Sequence, residues 1–160
     1  MLLQEESFEL FADYFQFYLQ DESAEPYGGD AWTDEAFDRH LAIAPGAIVV
    51  GTVRNMMVPV SIEVHSSKPE TDANSWDHIV ECSIQVDSGK IVVAGCTDYF
   101  PDARRIGLDP GCYRARVLYG ALDSVDGTGL EGDDRYCLQL WKAPNRDLVI
   151  VKKHSIEPGA

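Results

Sequence analysis

The chain has 160 residues, a length typical of one domain, and 45% of them are hydrophobic, which is enough for an ordered core. Its 27 acidic and 13 basic residues give a formal net charge of −14, which argues against a surface for nucleic acid or for anionic membranes. No window approaches the roughly 20 apolar residues of a membrane-spanning helix. No secretory signal is visible, because Glu5 and Glu6 interrupt the first apolar residues. We therefore expect one soluble, cytoplasmic domain over residues 1–160.

The first quarter of the chain is the most acidic part. Residues 1–40 contain eleven acidic residues and one base, Arg39, for a formal charge of −10. Such a segment forms either a solvated face or a surface for a basic partner. Within it, FELFADYFQFYLQ alternates apolar and polar residues but slips phase near Phe11 and Ala12. This pattern predicts one long strand with a bulge, and a helix is the less favoured alternative because the aromatic residues would crowd it.

One short helix is predicted in WTDEAFDRHL. Thr33 can cap its N-terminus, and the two acidic residues that follow lie where the helix dipole favours negative charge. Phe37 and Leu41 are expected on one face of this helix. The segment APGA, around Pro45 and Gly46, ends it.

Period-two alternation dominates the rest of the chain and predicts strands. These strands are AIVVGTV, VPVSIEVHS, WDHIVECSIQV, KIVVAGC, YRARVLYGA, RYCLQLWKA and LVIVKK. Turn signals such as DSGK separate them. Eight or nine strands with one short helix predict a mainly β protein with the architecture of an antiparallel β-sandwich.

Several polar and sulfur-containing residues fall inside these predicted strands. His78 lies on an apolar strand face, which favours a hydrogen-bonded core histidine over a catalytic base. Arg114 and Arg116 lie on an outer strand face, where cross-strand ion pairs are expected. The four cysteines are far apart and lack zinc-ligand spacing, so we expect free, mostly buried thiols: Cys82, Cys96, Cys112 and Cys137.

The segment DSVDGTGLEGDD places five carboxylates and three glycines in residues 123–134, hereafter the acidic loop. Its acidic residues do not match the spacing of an EF-hand calcium loop. An irregular calcium site or a small-ligand site on this loop is one alternative. A solvated hairpin loop and a surface for a basic protein are the others.

Catalytic signatures are weak throughout the sequence. Paired carboxylates are expected by chance in so acidic a chain, so a carboxylate-dependent hydrolase is only a third alternative. No local Ser-His-Asp, Cys-His or phosphate-binding glycine pattern is present. The sequence therefore favours a binding protein over an enzyme, and it indicates no cofactor and no resident metal.

Residues 12–70 resemble the competence-associated nuclease inhibitor family (Nin, also called ComJ). The resemblance rests on a Tyr-x-Gln-Phe strand, a Trp-Thr-Asp-Glu-Ala helix start, an Ala-x-Gly-Ala-Ile strand start and an Arg-Asn corner. The matching residues are Tyr14, Gln16, Phe17, Trp32 to Ala36, Ala44, Gly46, Ala47, Ile48, Arg54 and Asn55. The C-terminal half, including the acidic loop, aligns only loosely with the family.

This resemblance implies a small acidic protein that binds and silences a basic nuclease, either a competence nuclease or a toxin that requires an immunity protein. Carboxylates would then occupy the places where DNA phosphates bind, and association would be fast and salt-sensitive. Two candidate contact patches follow from the sequence, and homodimer formation stays open. The first patch contains Asp30, Trp32, Asp34, Glu35 and Asp38, and the second contains Asp123, Asp126, Glu131, Asp133 and Asp134.

Overall fold

The computed structural model describes residues 1–25 and 31–154, which form eleven strands and one α-helix. In chain order these elements are β1 (Leu2–Phe11), β2 (Gln16–Asp21), α1 (Asp34–Arg39), β3 (Leu41–Ala44), β4 (Ala47–Gly51), β5 (Met57–His65), β6 (His78–Val86), β7 (Lys90–Gly95), β8 (Arg104–Gly107), β9 (Gly111–Gly120), β10 (Arg135–Lys142) and β11 (Val149–Lys152). No helix in these two ranges has both the length and the apolar character needed to cross a membrane.

The strands form a six-stranded and a five-stranded sheet. The first has the spatial order β1-β5-β10-β9-β6-β11, and the second has the order β3-β4-β2-β7-β8. The predicted mainly β architecture with one short helix is confirmed. The structure adds one parallel pairing, between β5 and β10, and more strands than the eight or nine predicted. Two of the added strands, β3 and β8, are four-residue edge strands and are too short to show a clear alternation.

The core lies between the two sheets and is built from alternate residues of the strands, as the period-two patterns predict. The inward residues of β5 and β9 are buried: Val58, Val60, Ile62 and Val64 from β5, and Tyr113, Ala115, Val117 and Tyr119 from β9. Each apolar side chain of this size stabilises the fold by about 1.5–3 kcal/mol when fully buried.

The first twenty residues differ from their prediction. They form two strands in different sheets, not one bulged strand: β1 pairs with β5, and β2 pairs with β4 and β7. The phase slip near Phe11 and Ala12 marks the point where the chain leaves one sheet for the other. The connection is the three-residue turn Asp13–Phe15, hereafter the hook.

The outer face of the six-stranded sheet carries a buried polar network. Arg116 lies opposite Glu81 in the β6–β9 register, and their Nε and Oε2 atoms are 3.2 Å apart. The Nε of Arg114 lies 3.7 Å from the other oxygen of the same carboxylate. Both guanidinium groups also donate to backbone carbonyls that cover the sheet, at Pro69 and Asp147. The predicted cross-strand ion pairs are therefore confirmed, and they are buried.

His78 is a satisfied core histidine, as predicted. Its Nε2 lies 2.7 Å from Arg39 O, and its Nδ1 accepts from the backbone N–H of His154 at 3.0 Å. Both contacts are satisfied together only by the neutral ring with its proton on Nε2.

The cysteines are all free thiols, as predicted. Cys82 and Cys137 are buried, and burial raises both of their pKa values to about 12. Cys96 departs from the expected burial because it is exposed immediately after β7.

Candidate functional site

The hook presents two aromatic side chains in an unusual backbone conformation. Tyr14 and Phe15 both have φ of 59°, in the left-handed region that aromatic residues rarely adopt. Phe15 N–H donates to Ala12 O at 3.1 Å, and Phe15 O accepts from Thr52 N–H at 2.8 Å. Even so, Tyr14 is 69% exposed and Phe15 is 44% exposed. Backbone strain of about 1–3 kcal/mol per residue is found mainly where function requires it.

Helix α1 lies beside the hook and is capped as the sequence predicts. The side-chain oxygen of Thr33 accepts from Ala36 N–H at 3.1 Å, which confirms its role as the N-cap. His40 closes the helix in the left-handed conformation, with φ of 58°.

The prediction that Phe37 and Leu41 lie on one apolar face of α1 is wrong. The helix ends at Arg39, so Leu41 lies in β3, where it is buried in the core. Ala36 is the buried residue of the helix, whereas Phe37 is 63% exposed. A six-residue helix needs only one small side chain to pack on the sheet, and this leaves the larger ring at the surface.

Trp32 joins the helix to the start of β2 and the end of β4. Its ring stacks on Phe37 with centroids 5.1 Å apart and an interplanar angle of 25°. Its indole N–H donates to Gln16 Oε1 at 3.0 Å. A Cβ at Gly51 would lie 3.1 Å from the edge of the indole, so the close approach of this ring to β4 favours glycine there.

A cavity of about 310 Å³ lies between the hook and the helix. Four aromatic residues line it, Tyr14, Phe15, Trp32 and Phe37, and we call this set the cage. His40, Gln16, Gly51 and Thr52 complete the lining, so the cavity has no aliphatic side chain.

The acidic loop is held in place by its own hydrogen bonds. Thr128 donates both its backbone N–H and its hydroxyl to Asp126 Oδ1, at 3.1 and 2.5 Å, and this contact lowers the pKa of Asp126. Asp126 N–H donates to Glu131 O at 2.9 Å. Gly129, with φ of +71°, lies against the Phe15 ring and accepts from Asn55 N–H at 2.8 Å. The loop is therefore a formed structure that adjoins the hook.

Asp134 differs from the other acidic residues of the loop. It is fully buried, with 0% exposure, and its Oδ1 lies 2.8 Å from Nε of Arg54. Tyr136 OH donates to its other oxygen at 2.6 Å and accepts from Val53 N–H at 3.0 Å. This carboxylate fixes the end of the loop and is not available at the surface, so we leave it out of the proposed interface.

The segment that follows β11 connects the helix to the acidic loop. Lys153 Nζ lies 2.5 Å from Asp38 Oδ2, and this contact lowers the pKa of Asp38. The next residue, His154, places Nε2 3.0 Å from Asp123 Oδ1. Two adjacent residues thus touch both predicted patches, which therefore lie at the same end of the sandwich.

Two histidines beneath this surface are held neutral. Burial, together with the neighbouring His78, lowers the pKa of His40 to about 4. Burial also lowers the pKa of His78. His40 therefore adds no positive charge to the lining of the cage at neutral pH.

The structure brings most of the predicted site residues together. We call the hook, α1 and the acidic loop the end surface. Its exposed acidic residues are Asp34, Glu35, Asp38, Asp123, Asp126, Glu131 and Asp133, and Trp32 lies half-buried between them. Asp30 lies outside the described residues.

Sequence reasoning missed three residues of this surface. Tyr14 and Phe15 were counted as strand residues, and Phe37 was counted as the apolar face of a helix. The available signal was the phase slip in FELFADYFQF, which places two adjacent aromatic residues where alternation fails. Adjacent side chains of a strand point to opposite faces, so two adjacent aromatic residues at a phase slip indicate that at least one ring leaves the face predicted for it.

The metal-site and carboxylate-catalysis alternatives would each need clustered side chains. Within residues 1–25 and 31–154, no cluster of three or more His, Cys, Asp or Glu side chains is arranged to hold a metal ion. The buried carboxylates of these residues do not face one another: Glu81 binds arginines, Asp134 binds Arg54 and Tyr136, and Asp21 accepts from Ser23 and Ser88.

No protein-family model and no curated protein matches this sequence. Two solved structures share its fold. The crystal structure of ComJ from Bacillus subtilis, described as an inhibitor of the DNA-degrading activity of NucA, is 20% identical with a TM-score of 0.66, and the match covers 89% of this chain and 98% of that one. The protein described as crocagin biosynthetic gene J is 18% identical with a TM-score of 0.59, and the match covers 89% of this chain and all of the other. The resemblance seen in residues 12–70 therefore extends, as a shared fold, over most of the chain.

Proposed function

We propose that this protein is a cytoplasmic binding protein, not an enzyme, that inhibits a basic nuclease. The nuclease is either a competence nuclease or a toxin domain, for which the protein would act as an immunity protein. The observation that carries the proposal is the end surface, where a fold shared with a nuclease inhibitor presents exposed aromatic rings among carboxylates.

The composition of the end surface fits a protein interface. Exposed Tyr, Trp and Phe side chains contribute most of the binding energy in many interfaces, while charged residues at the rim accelerate association. The cleft of a nuclease must be basic to hold the phosphate backbone. Carboxylates around an aromatic centre are complementary to such a cleft, and inhibition then follows from occupying the place of DNA.

The proposal is tested by capture followed by titration. The purified protein serves as bait in a lysate of its source organism at low and at moderate salt, and captured nucleases are purified and assayed on DNA with increasing amounts of the protein. We expect one captured nuclease to be inhibited with a sharp, stoichiometric end point. Inhibition should weaken as salt rises, because association is steered by charge.

Paired charge reversals locate the interface. Asp34→Lys with Glu35→Lys, and Glu131→Lys with Asp133→Lys, change the end surface. Glu5→Lys with Glu70→Lys makes the same change of charge at exposed positions elsewhere and serves as the matched control. Equal inhibition by all three double variants would refute the role of the end surface, and the failure of every captured nuclease to be inhibited would refute the function.

Size-exclusion chromatography of the bait establishes whether it binds as a monomer or as a homodimer.

A further inference from the structure

Aromatic rings elsewhere in this protein pair with its own arginines. Arg135 lies 4.0 Å from the centroid of Trp76, Arg104 lies 4.2 Å from Phe8, Arg116 lies 5.1 Å from Trp141 and Arg105 lies 5.2 Å from Phe100. Two of the three tryptophans thus have a guanidinium over the ring. Within the described residues, Trp32 has none.

We propose that the cage is a binding site for a cationic side chain, an arginine guanidinium, of a basic partner protein. That a basic partner protein supplies the guanidinium rests on the proposed function, whereas the affinity of the cage for a guanidinium does not. Aromatic faces attract cations through the negative potential above the ring, and several rings around one cavity add their attractions.

The lining of the cavity favours a cation over an apolar side chain. Its apolar part consists of the four rings, and the rest is imidazole, amide, hydroxyl and glycine backbone. An aliphatic ligand would find no branched aliphatic side chain to pack against. A cavity of about 310 Å³ lies at the small end of the range for ligand sites, which suits one side chain.

Hydrogen-bond acceptors in the cavity favour guanidinium over a quaternary ammonium group. Gln16 Oε1 accepts one bond from Trp32 and keeps a second lone pair, and Thr52 Oγ1 donates to Arg54 O and keeps its acceptor capacity. Guanidinium has five N–H donors in a plane and can stack on a ring while it donates in that plane. Tetramethylammonium has none.

Exposed carboxylates beside the cage favour a cationic ligand. Asp34 and Glu35 are exposed on α1, the helix that carries Phe37. Asp38 on the same helix is already paired with Lys153, whose Nζ lies 2.5 Å from Asp38 Oδ2. The imidazole of His40 is neutral and does not repel a guanidinium.

Binding is tested on the full chain without any partner. The indole N–H signals of the three tryptophans are followed by NMR during titration with N-acetyl-arginine amide, N-acetyl-citrulline amide or tetramethylammonium chloride at constant ionic strength. Citrulline has the shape of arginine without its charge. We expect saturable shifts of the Trp32 signal with the arginine probe alone, with a dissociation constant on the order of millimolar because a single side chain makes few contacts.

Three variants assign the shifts to the cage. Phe37→Leu keeps an apolar side chain and removes one ring, and Tyr14→Ala removes another. Both should weaken binding of the arginine probe by about fivefold or more. Tyr99→Ala is the matched control, because Tyr99 is 71% exposed, close to the 69% of Tyr14, and does not line the cage. Thermal unfolding of each variant verifies that it is folded.

Each alternative outcome would overturn the proposal. Equal binding of the citrulline probe would indicate a site for neutral ligands. Preferential binding of tetramethylammonium would indicate a site for a small quaternary ammonium compound. No shift with any probe up to roughly 100 mM would show that the cage binds no free cation.

The proposal and the proposed function fail in different ways. If Phe37→Leu no longer binds the arginine probe but inhibits the captured nuclease as strongly as the parent protein does, the cage is not the contact with the nuclease and the inhibitor function stands. If the arginine probe binds but no nuclease is inhibited, the cage stands and the inhibitor function fails.

Discussion

The outer face of the six-stranded sheet and the cage both present aromatic residues, but the rings on the sheet are paired with an arginine of this chain and, over the part of the chain that the structure describes, those of the cage are not. On the sheet, Arg116 lies over Trp141, pairs with Glu81 and donates to Pro69 O, all away from solvent. At the cage, aromatic residues are present and exposed carboxylates lie on the adjoining α1, but among the described residues no guanidinium lies over Trp32. On this sheet face the chain supplies both halves of the interaction, and the interaction is buried and holds the fold. At the cage it supplies one half at the surface, and under our proposal a basic partner supplies the other half.

The largest expected effect comes from removing the carboxylate of the buried network. Glu81→Gln leaves two buried guanidinium groups without a counter-charge, and we expect the free energy of unfolding to fall by about 3–5 kcal/mol, measured by urea denaturation. Glu6→Gln is the control, because the Glu6–Arg104 pair is largely exposed and should contribute less than about 1 kcal/mol. Equal effects of the two substitutions would contradict the distinction between the buried network and the surface.

The second prediction separates two adjacent carboxylates of the acidic loop. Asp134→Asn leaves Arg54 without its buried counter-charge and should lower the free energy of unfolding by about 3 kcal/mol. Asp133→Asn, at an exposed position, should leave it nearly unchanged. Thermal unfolding of both variants measures the difference. A stable Asp134→Asn protein would mean that Asp134 does not hold the loop.

Much of the fold was predictable because its signals are local. The alternation in VPVSIEVHS and YRARVLYGA identifies inward residues correctly, and the cap at Thr33 requires only three residues of sequence. The division of the first strand was not predictable, since a phase slip is compatible with a bulge and with a change of sheet. The parallel pairing of β5 with β10 joins residues about 75 positions apart in sequence and leaves no local mark.

The exposed carboxylates of the candidate site were predictable from local sequence, and its aromatic residues were not. Charged side chains are usually exposed, so the exposure of Asp34, Glu35 and most carboxylates of the acidic loop was predictable from charge alone. Asp134 was assigned to the surface because nothing local shows that Arg54 reaches it. The cage was missed because apolar rings are expected in the core, and only the tertiary structure shows which ones the hook and helix leave outside.

The third prediction concerns the two neutral histidines below the end surface. Because burial lowers the pKa of His40 to about 4, the unfolded chain binds more protons than the folded one between that value and about 6.5. Stability is therefore fully present above about pH 6.5 and is lost as the pH falls toward 4. His40 alone contributes a loss on the order of 2–3 kcal/mol.

His40→Asn should remove most of this dependence. Asparagine tolerates the left-handed conformation of position 40 and does not titrate. Urea denaturation between pH 4 and 7.5 should show a steep decline for the parent protein and a shallower one for the variant, with the residual slope supplied by His78 and, toward pH 4, by carboxyl groups with a lowered pKa such as Asp21. An unchanged slope would show that His40 is not held neutral by the fold.

The smallest effects are expected at the exposed carboxylates. Asp133→Asn and Glu131→Gln should each weaken association with the nuclease by about two- to fivefold at low salt, chiefly through a slower association rate, and surface plasmon resonance measures this. The effect should vanish at about 0.5 M salt, because screening then acts within a few ångströms. A loss that persists at high salt and appears in the dissociation rate would mean that the carboxylate is desolvated against a partner cation. The acidic loop would then resemble the buried network, with its second half supplied by another protein.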